Sequence, residues 1–152
     1  MGIYKYSFDL KKTYLAMIEN SVGSRIFQNF YVVVKNSKRK DVLQKGKFSC
    51  AFFVSVILRI FNLISSPHCT VESTLKDLKK SGWFEIEISK RMPKGTVVLW
   101  QKKEGHYHLG FYFGQKMAIS NSPESRVPVI HHWTFNNSRK IIKAYSHQFL
   151  SN

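Results

Sequence analysis

The chain has 152 residues and a formal net charge of +15, from 24 Lys and Arg against nine Asp and Glu. Apolar residues make up 43% and aromatic residues 14%, which excludes a disordered, collagen-like or coiled-coil chain. Two cysteines are too few for a disulfide-built scaffold, and the length predicts a single domain spanning residues 1–152. The charge excess, densest over residues 35–40, favours either an anionic partner (nucleic acid, acidic lipid or acidic wall polymer) or simply a basic solvated surface.

The chain shows no targeting signal. The first nine residues lack the basic segment followed by an apolar one that marks a secretory signal, so we expect a cytoplasmic protein and leave non-classical export open. The most apolar stretch, residues 50–64, is shorter than a bilayer span and carries Arg59 in its middle. This stretch therefore predicts a buried helix and no transmembrane segment.

The N-terminal part is predicted to be helical. Leu10, Tyr14, Met17 and Ile18 recur at helical spacing, and the pattern ends before Gly23. A short β-branched run over residues 31–34 and the basic stretch then lead as a loop toward residue 50. We accordingly treat residues 1–45 as a helical extension of a core that spans residues 46–146.

A second helix is predicted to begin at Cys50, with Ser49 as its N-cap. Ser55, Arg59 and Asn62 fall on one polar stripe. At 100° per residue, Cys50 points about 140° away from that stripe, so we expect it to face protein rather than solvent.

The second half of the chain predicts one more helix and then strands. Thr70 can cap that helix, and Gly82 can end it. From residue 84 the apolar period changes to two, which predicts strands over residues 84–88, 96–101, 106–113, 117–121, 127–135 and 140–146. Helices followed by closely spaced strands indicate an α+β fold built on an antiparallel meander.

Cys50 and His108 are the candidates for nucleophile and base. A helix N-terminus lowers the pKa of a thiol, whereas a packed and inert thiol is the alternative for Cys50. Along residues 106–113, alternation puts His106, His108 and Gly110 on one face and the core-forming side chains on the other. A strand histidine opposite a helix-start cysteine suits a cysteine nucleophile, and an exposed strand with incidental histidines is the alternative.

The third catalytic position depends on strand register. If residues 114–115 form a two-residue hairpin, Asn121 lies opposite His108 and can orient its ring. A shifted register brings Ser120 or Ser122 nearer instead. The spacing of the histidines and cysteines matches no zinc motif, so we expect no metal and no cofactor. The sequence also contains no motif of the known nucleic-acid-binding domains.

Three segments together resemble the NlpC-type cysteine peptidases, which have a papain-like fold. Residues 48–54 (FSCAFFV) are similar to that family's Asp-Cys-Ser-Gly-Phe-Val helix start, and residues 92–100 (MPKGTVVLW) to its Leu-x-Pro-Gly-Asp-Leu-Val-Phe-Phe strand. Residues 108–114 (HLGFYFG) are similar to its His-Val-Gly-Ile-Tyr-Leu-Gly strand. The order of the segments is kept, and the resemblance covers about residues 46–146.

The resemblance implies a cysteine-dependent hydrolase of amide bonds, with peptidoglycan stem peptides among its substrates. It implies Cys50 as the nucleophile and His108 as the base, with the third role on Asn121 or its neighbour Ser120. Ser49, Ser120 and Tyr31 are the implied substrate contacts. Ser49 and Ala51 replace the family's Asp and Ser, and the family's upstream Tyr-x-Trp/Tyr-Gly-Gly segment is absent. The alternative is an inactive binding module of the same fold that holds a polyanion through its basic surface.

Overall fold

The computed structural model of the protein describes residues 5–151, so the first four residues and the last one of the predicted domain lie outside the description. Three helices are present: α1 (Leu10–Asn20), α2 (Cys50–Ile60) and α3 (Val71–Lys80). Eight strands accompany them: β1 (Tyr31–Val34), β2 (Lys38–Asp41), β3 (Phe84–Ile86), β4 (Val97–Lys103), β5 (His106–Gly114), β6 (Met117–Asn121), β7 (Pro128–His132) and β8 (Ile141–Ser146). The α+β class predicted from the sequence is thus confirmed.

The strands form one antiparallel sheet of six and a separate hairpin. The sheet order is β3-β8-β4-β5-β6-β7, and β1 pairs only with β2. Strands β4 to β7 follow one another as the predicted meander. The chain then returns across the sheet, and β8 inserts between β3 and β4, so the meander prediction is wrong for the first and the last strand. Periodicity predicts a strand but does not state its neighbours, which is why this crossover was not foreseen.

The sheet buries apolar side chains on both faces. On one face Leu109, Phe111 and Ile119 pack against Phe53 and Val54 of α2. Strand alternation puts a second cluster on the other face, made up of Met92, Val98, Trp100, Tyr112, Ala118 and Ala144. The core face predicted for β5 is confirmed, and the opposite face of β5, which carries His108, is buried as well.

The predicted polar stripe of α2 is only partly exposed. Ser55 is fully buried, because its hydroxyl hydrogen-bonds the peptide N–H and carbonyl of His68 in the loop before α3. That loop is held by the carboxylate of Asp77, which accepts hydrogen bonds from Ser65, Ser66 and His68. Although burial opposes it, these hydrogen bonds hold the pKa of Asp77 well below its usual range.

The N-terminal part contains one helix and a hairpin, so the prediction of a helical extension over residues 1–45 is wrong beyond α1. Strands β1 and β2 pair across a turn in which Asn36 and Ser37 have positive φ. At the base of this hairpin, the Asp41 carboxylate accepts hydrogen bonds from three peptide N–H groups, which belong to Phe30, Leu43 and Lys45. The basic stretch is therefore a strand and its turn rather than a plain loop.

No helix among residues 5–151 combines the length and the apolar character that crossing a bilayer requires.

Gly110 lets β5 and β6 approach each other closely beside His108. A Cβ atom at this position would lie 2.7 Å from the Cβ of Ser120, 2.8 Å from the carbonyl oxygen of Ile119 and 2.9 Å from the ring of Trp100. Because glycine has no side chain, there is room above the strand at this position. The room is filled by the Ser120 and Trp100 side chains, which brings Ser120 within reach of His108.

We predict that Gly110→Ala lowers the free energy of unfolding by about 1–3 kcal/mol, since overpacking forces backbone or rotamer shifts. Urea denaturation of both proteins measures the change. Gly105→Asn is the control, because nothing lies within 4 Å of a Cβ there and asparagine tolerates the positive φ of that turn. An alanine at position 110 that left stability unchanged would show that the two strands can separate at no cost.

Candidate active site

A cleft of about 690 Å³ opens at the N-terminal end of α2. It is lined by the sequence-predicted residues and by several others, among them Cys50, His108, Ser120, Asn121, His131 and Arg139. A slightly larger hollow of about 760 Å³ lies beside the first turn of α1, but no cysteine or histidine lines it. The cleft at Cys50 is therefore the place where nucleophilic chemistry can occur.

Cys50 is the first residue of α2, as predicted. Burial raises the pKa of its thiol above the ordinary value. The peptide N–H groups of Leu109, Ala51 and Cys50 itself, together with the charge of Arg139, act in the opposite direction and do not outweigh burial. The expectation that the helix N-terminus gives a low thiol pKa is thus wrong for the unliganded protein, because desolvation is the larger effect.

His108 is buried between aromatic rings on the face of β5 that points away from α2. Its ring centroid lies 5.3 Å from that of Trp100 and 5.8 Å from that of Phe135. Burial, followed by the charges of Arg139 and His131, lowers the pKa of His108 to about 3. The imidazole is therefore neutral near pH 7, as a proton acceptor must be.

Cys50 and His108 reach the cleft from different elements. The peptide N–H of Leu109, the residue that follows His108 on β5, lies near enough to the sulfur to lower the pKa of the thiol. The hydrogen bonds of the described residues do not include one between the Cys50 sulfur and the His108 ring. With a raised thiol pKa and a lowered imidazole pKa, the unliganded pair is a neutral thiol and a neutral imidazole rather than an ion pair.

The hydrogen-bond partner of His108 is Ser120, whose Oγ lies 2.8 Å from His108 Nε2. The prediction that Asn121 orients His108 is wrong. The hairpin loop is Gln115-Lys116 rather than Gly114-Gln115, and a bulge follows Tyr112, so the register shifts. A one-residue slip exchanges the two faces of a strand, which turns Ser120 toward His108 and Asn121 away from it.

Asn121 instead fixes the loop that precedes the cysteine. Its Nδ2 donates a hydrogen bond of 2.7 Å to the carbonyl oxygen of Gly46, and the residue is buried. The Asn121 Oδ1 has no partner among the described residues. A second unpartnered buried oxygen is Oγ of Ser49, which occupies the predicted N-cap position of α2 but makes no capping hydrogen bond.

Sequence reasoning missed His131, which it weighed only as a metal ligand. Its Nε2 lies 2.7 Å from Ser120 Oγ, and its ring stacks on Phe135 with a centroid separation of 4.0 Å. Its Nδ1 lies 2.8 Å from the carbonyl oxygen of His132. Alternation along β7 puts His131 and His132 on opposite faces, so only one of them can share a face with Ser120, and this was the one signal in the sequence.

Arg139, in the loop before β8, was also missed. Its Nε and one terminal nitrogen donate hydrogen bonds to the carbonyl oxygens of Gln101 and His106, at 2.8 and 2.6 Å. This partly buried guanidinium places a positive charge near the Cys50 sulfur and lowers the pKa of the thiol. Nothing in the local sequence around residue 139 indicates this position, which depends on the return of β8 to β4.

The remaining predicted contacts separate into two groups. Ser120 lines the cleft, but its hydroxyl is hydrogen-bonded to the two histidines. Tyr31 lies on the β1–β2 hairpin and does not line the cleft.

Cys69 lines the cleft, and burial together with the charge of Asp41 raises the pKa of its thiol. Within residues 5–151, no group of three or more His, Cys, Asp or Glu is placed so that it could hold a metal ion.

Comparison with known proteins finds no family model that matches the chain and no characterised protein with a similar sequence. The functional argument therefore depends on the geometry of this cleft.

The buried His108 should make the protein less stable in mild acid. The folded state takes up a proton on this ring only near pH 3, whereas the unfolded chain takes it up near pH 6.5, so stability is lost as the pH falls through that range. We expect a loss of about 2 kcal/mol in the free energy of unfolding between pH 7 and pH 5.

Urea denaturation at both pH values, with wild type and His108→Gln, measures this contribution. The variant should lose most of the pH dependence in this range. His106→Gln, two residues earlier at the exposed start of β5, should keep it. Equal pH dependence in wild type and His108→Gln would contradict the assignment of a buried neutral ring.

Proposed function

We propose that the protein is a cysteine-dependent amide hydrolase, with Cys50 as the nucleophile and His108 as the general base. The observation that carries this proposal is the shared cleft. A helix-start cysteine and a neutral, buried histidine line it, and Ser120 holds one ring nitrogen of the histidine so that the other remains available. The same arrangement supports a papain-like, NlpC-type fold, since a cysteine helix packs on a histidine strand followed by a strand with a polar residue.

The proposed reaction begins with a neutral pair. As the Cys50 sulfur attacks the amide carbon, the thiol proton passes to the His108 nitrogen that Ser120 does not hold. The new S–C bond gives a tetrahedral oxyanion, which peptide N–H groups at the start of α2 can stabilise. The C–N bond then breaks, and His108 returns the proton to the leaving amine.

Water completes the cycle. His108 takes a proton from water as its oxygen attacks the thioester, and the C–S bond breaks to release the acid and restore the thiol. No metal or redox partner is needed for these steps to balance. The thiol and the ring have to come within hydrogen-bond reach of each other for this proton transfer.

The substrate we propose is a peptide amide, with peptidoglycan stem peptides as the class to test first. The Arg139 guanidinium and the exposed Lys47 and Lys103 give the cleft cations that suit peptides with carboxylate groups. Exposed Glu72, Glu104 and Glu124 also line the cleft, so its charge is mixed. A cleft of mixed charge selects a peptide by the positions of its charged groups rather than by its net negative charge.

Hydrolysis and thiol labelling test the proposal together. We expect wild type to release peptide fragments from purified peptidoglycan, and Cys50→Ala to release none, as read by mass spectrometry. In iodoacetamide labelling near neutral pH, Cys50 should react before Cys69. The charge of Arg139 lowers the pKa of the Cys50 thiol, whereas the charge of Asp41 raises that of the Cys69 thiol. His108→Ala should slow labelling of Cys50 by about tenfold or more, the usual lower range for a general base.

Cys69→Ala is the matched control and should keep hydrolysis. If Cys69 is labelled first and His108→Ala changes nothing at Cys50, the cysteine is a packed core thiol and the hydrolase proposal fails. Labelling that depends on His108 without any release from peptidoglycan would instead exclude this substrate class and keep the nucleophile.

As a second candidate function, we propose that the β1–β2 hairpin binds a polyanion. Lys35, Lys38, Arg39 and Lys40 are all exposed on it. The one acidic residue of the hairpin, Asp41, is engaged by peptide N–H groups at its base. Apart from the pairing of its two strands, the hairpin makes few contacts with the rest of the described chain, so its cations are free to approach a phosphate backbone or an acidic polymer.

Binding of a single-stranded DNA oligonucleotide across a salt series tests this function. Replacing Lys38, Arg39 and Lys40 by Gln should reduce the slope of log affinity against log salt by about 2, since each phosphate contact contributes about 0.7 on single strands. Replacing Lys76, Lys79 and Lys80 on α3 removes the same charge and should leave the slope nearly unchanged. Equal effects of the two triple variants would mean that only the net charge of the protein matters.

A further inference from the structure

Ser120 has a single proton, and two imidazole nitrogens lie within hydrogen-bond distance of its oxygen. His108 Nε2 is 2.8 Å away and His131 Nε2 is 2.7 Å away. A hydroxyl can donate to one of these nitrogens and must accept from the other. The direction of both hydrogen bonds is therefore decided by whichever ring has its own proton fixed elsewhere.

The ring with a fixed proton is His131. Its Nδ1 lies 2.8 Å from the carbonyl oxygen of His132, and a carbonyl oxygen only accepts, so Nδ1 carries the hydrogen. Burial also lowers the pKa of His131, which favours the neutral ring. A neutral ring with its proton on Nδ1 has a bare Nε2, and this nitrogen accepts the Ser120 proton.

The hydrogen bond to His108 then runs in the opposite sense. Since the Ser120 hydroxyl donates to His131, its oxygen accepts a hydrogen bond from His108 Nε2. The proton of the neutral His108 ring is on Nε2, and Nδ1 is left as an acceptor. This is the nitrogen that Ser120 does not hold and that the reaction above uses to take the thiol proton.

We infer that His131 is a positioning residue that fixes the tautomer of His108 through Ser120. The chain of donors runs from His108 to Ser120, from Ser120 to His131, and from His131 to the carbonyl oxygen of His132. The hydrogen bond to the carbonyl oxygen of His132 cannot change direction, because a carbonyl oxygen only accepts. It therefore sets the tautomer of His108 through the side chains of His131 and Ser120. The tautomer assignment stands on hydrogen-bond geometry alone, whereas its importance for catalysis rests on the function proposed above.

Aromatic side chains surround these hydrogen bonds and shield them from water. Phe135 stacks on His131 and meets His108 edge to face, and Trp100 lies against both rings. The indole of Trp100 is itself fixed by a hydrogen bond of 2.6 Å from its Nε1 to the carbonyl oxygen of Trp133. Ser120 is almost fully buried, so little of its hydroxyl faces solvent.

Nitrogen NMR of the labelled, full-length protein tests the tautomer directly. In wild type we expect the neutral His108 ring to show a protonated Nε2 and an unprotonated Nδ1. In His131→Phe, which keeps the aromatic stack on Phe135 but has no acceptor, the Ser120 hydroxyl is free to donate to His108. The ring should then change to the tautomer with its proton on Nδ1.

His131→Gln should restore the wild-type state, since its side-chain oxygen can accept the Ser120 proton. His132→Gln is the matched control, because the side chain of His132 bonds Thr134 and does not reach Ser120. We expect iodoacetamide labelling of Cys50 to be about tenfold slower in His131→Phe and within about twofold of wild type in the two glutamine variants, following the usual contribution of a general base.

A wild-type His108 protonated on Nδ1, or an unchanged tautomer in His131→Phe, would overturn the inference. The wild-type spectrum alone decides the first of these, so the test does not depend on a variant that folds. Failure of the hydrolase proposal has a different signature. In that case His108→Ala leaves Cys50 labelling unchanged, while the tautomer in the spectra still follows His131.

Discussion

The hydroxyl of Ser120 is the contact on which the chemistry of this cleft depends. It joins a histidine on β5 to a histidine on β7, across a strand that could reach both only because Gly110 lets β5 and β6 approach. The hydroxyl fixes the positions of the two rings relative to each other. The aromatic side chains around the rings shield them from water. These constraints together keep the His108 ring neutral and hold one of its nitrogens against Ser120.

Burial governs the charge state of the cleft more than any single partner does. It raises the pKa of the Cys50 thiol and lowers the pKa of the His108 ring, so the resting pair holds no charge separation. The helix N-terminus and Arg139 oppose this at the sulfur without reversing it.

Hydrogen bonds from residues of β6 and of the loop after it fix the loop that precedes Cys50. Asn121 holds the carbonyl oxygen of Gly46, and Arg126 adds a hydrogen bond from its guanidinium to the carbonyl oxygen of Gln44. A Cβ at Gly46 would lie only 2.3 Å from the backbone oxygen of Arg126, so the loop and the sheet edge are in direct contact. Two neighbouring residues of β6 thus contact the cleft from opposite faces of the strand, Ser120 toward His108 and Asn121 toward the loop before Cys50.

The sequence by itself determined the helices and most of the strands, but not β2, and it singled out Cys50 and His108, which line one cleft. Local signals sufficed there: a helical apolar period after Cys50, a threonine cap before α3, and strict alternation along β5. Only the tertiary structure decided which polar residue meets His108, because one bulge and one shifted turn exchange the faces of β6. Tertiary structure also decided that His131 and Arg139 lie at the cleft, since their positions depend on which strands lie side by side. That desolvation outweighs the helix N-terminus in setting the pKa of Cys50 was decided there too, since burial is a property of the packed chain.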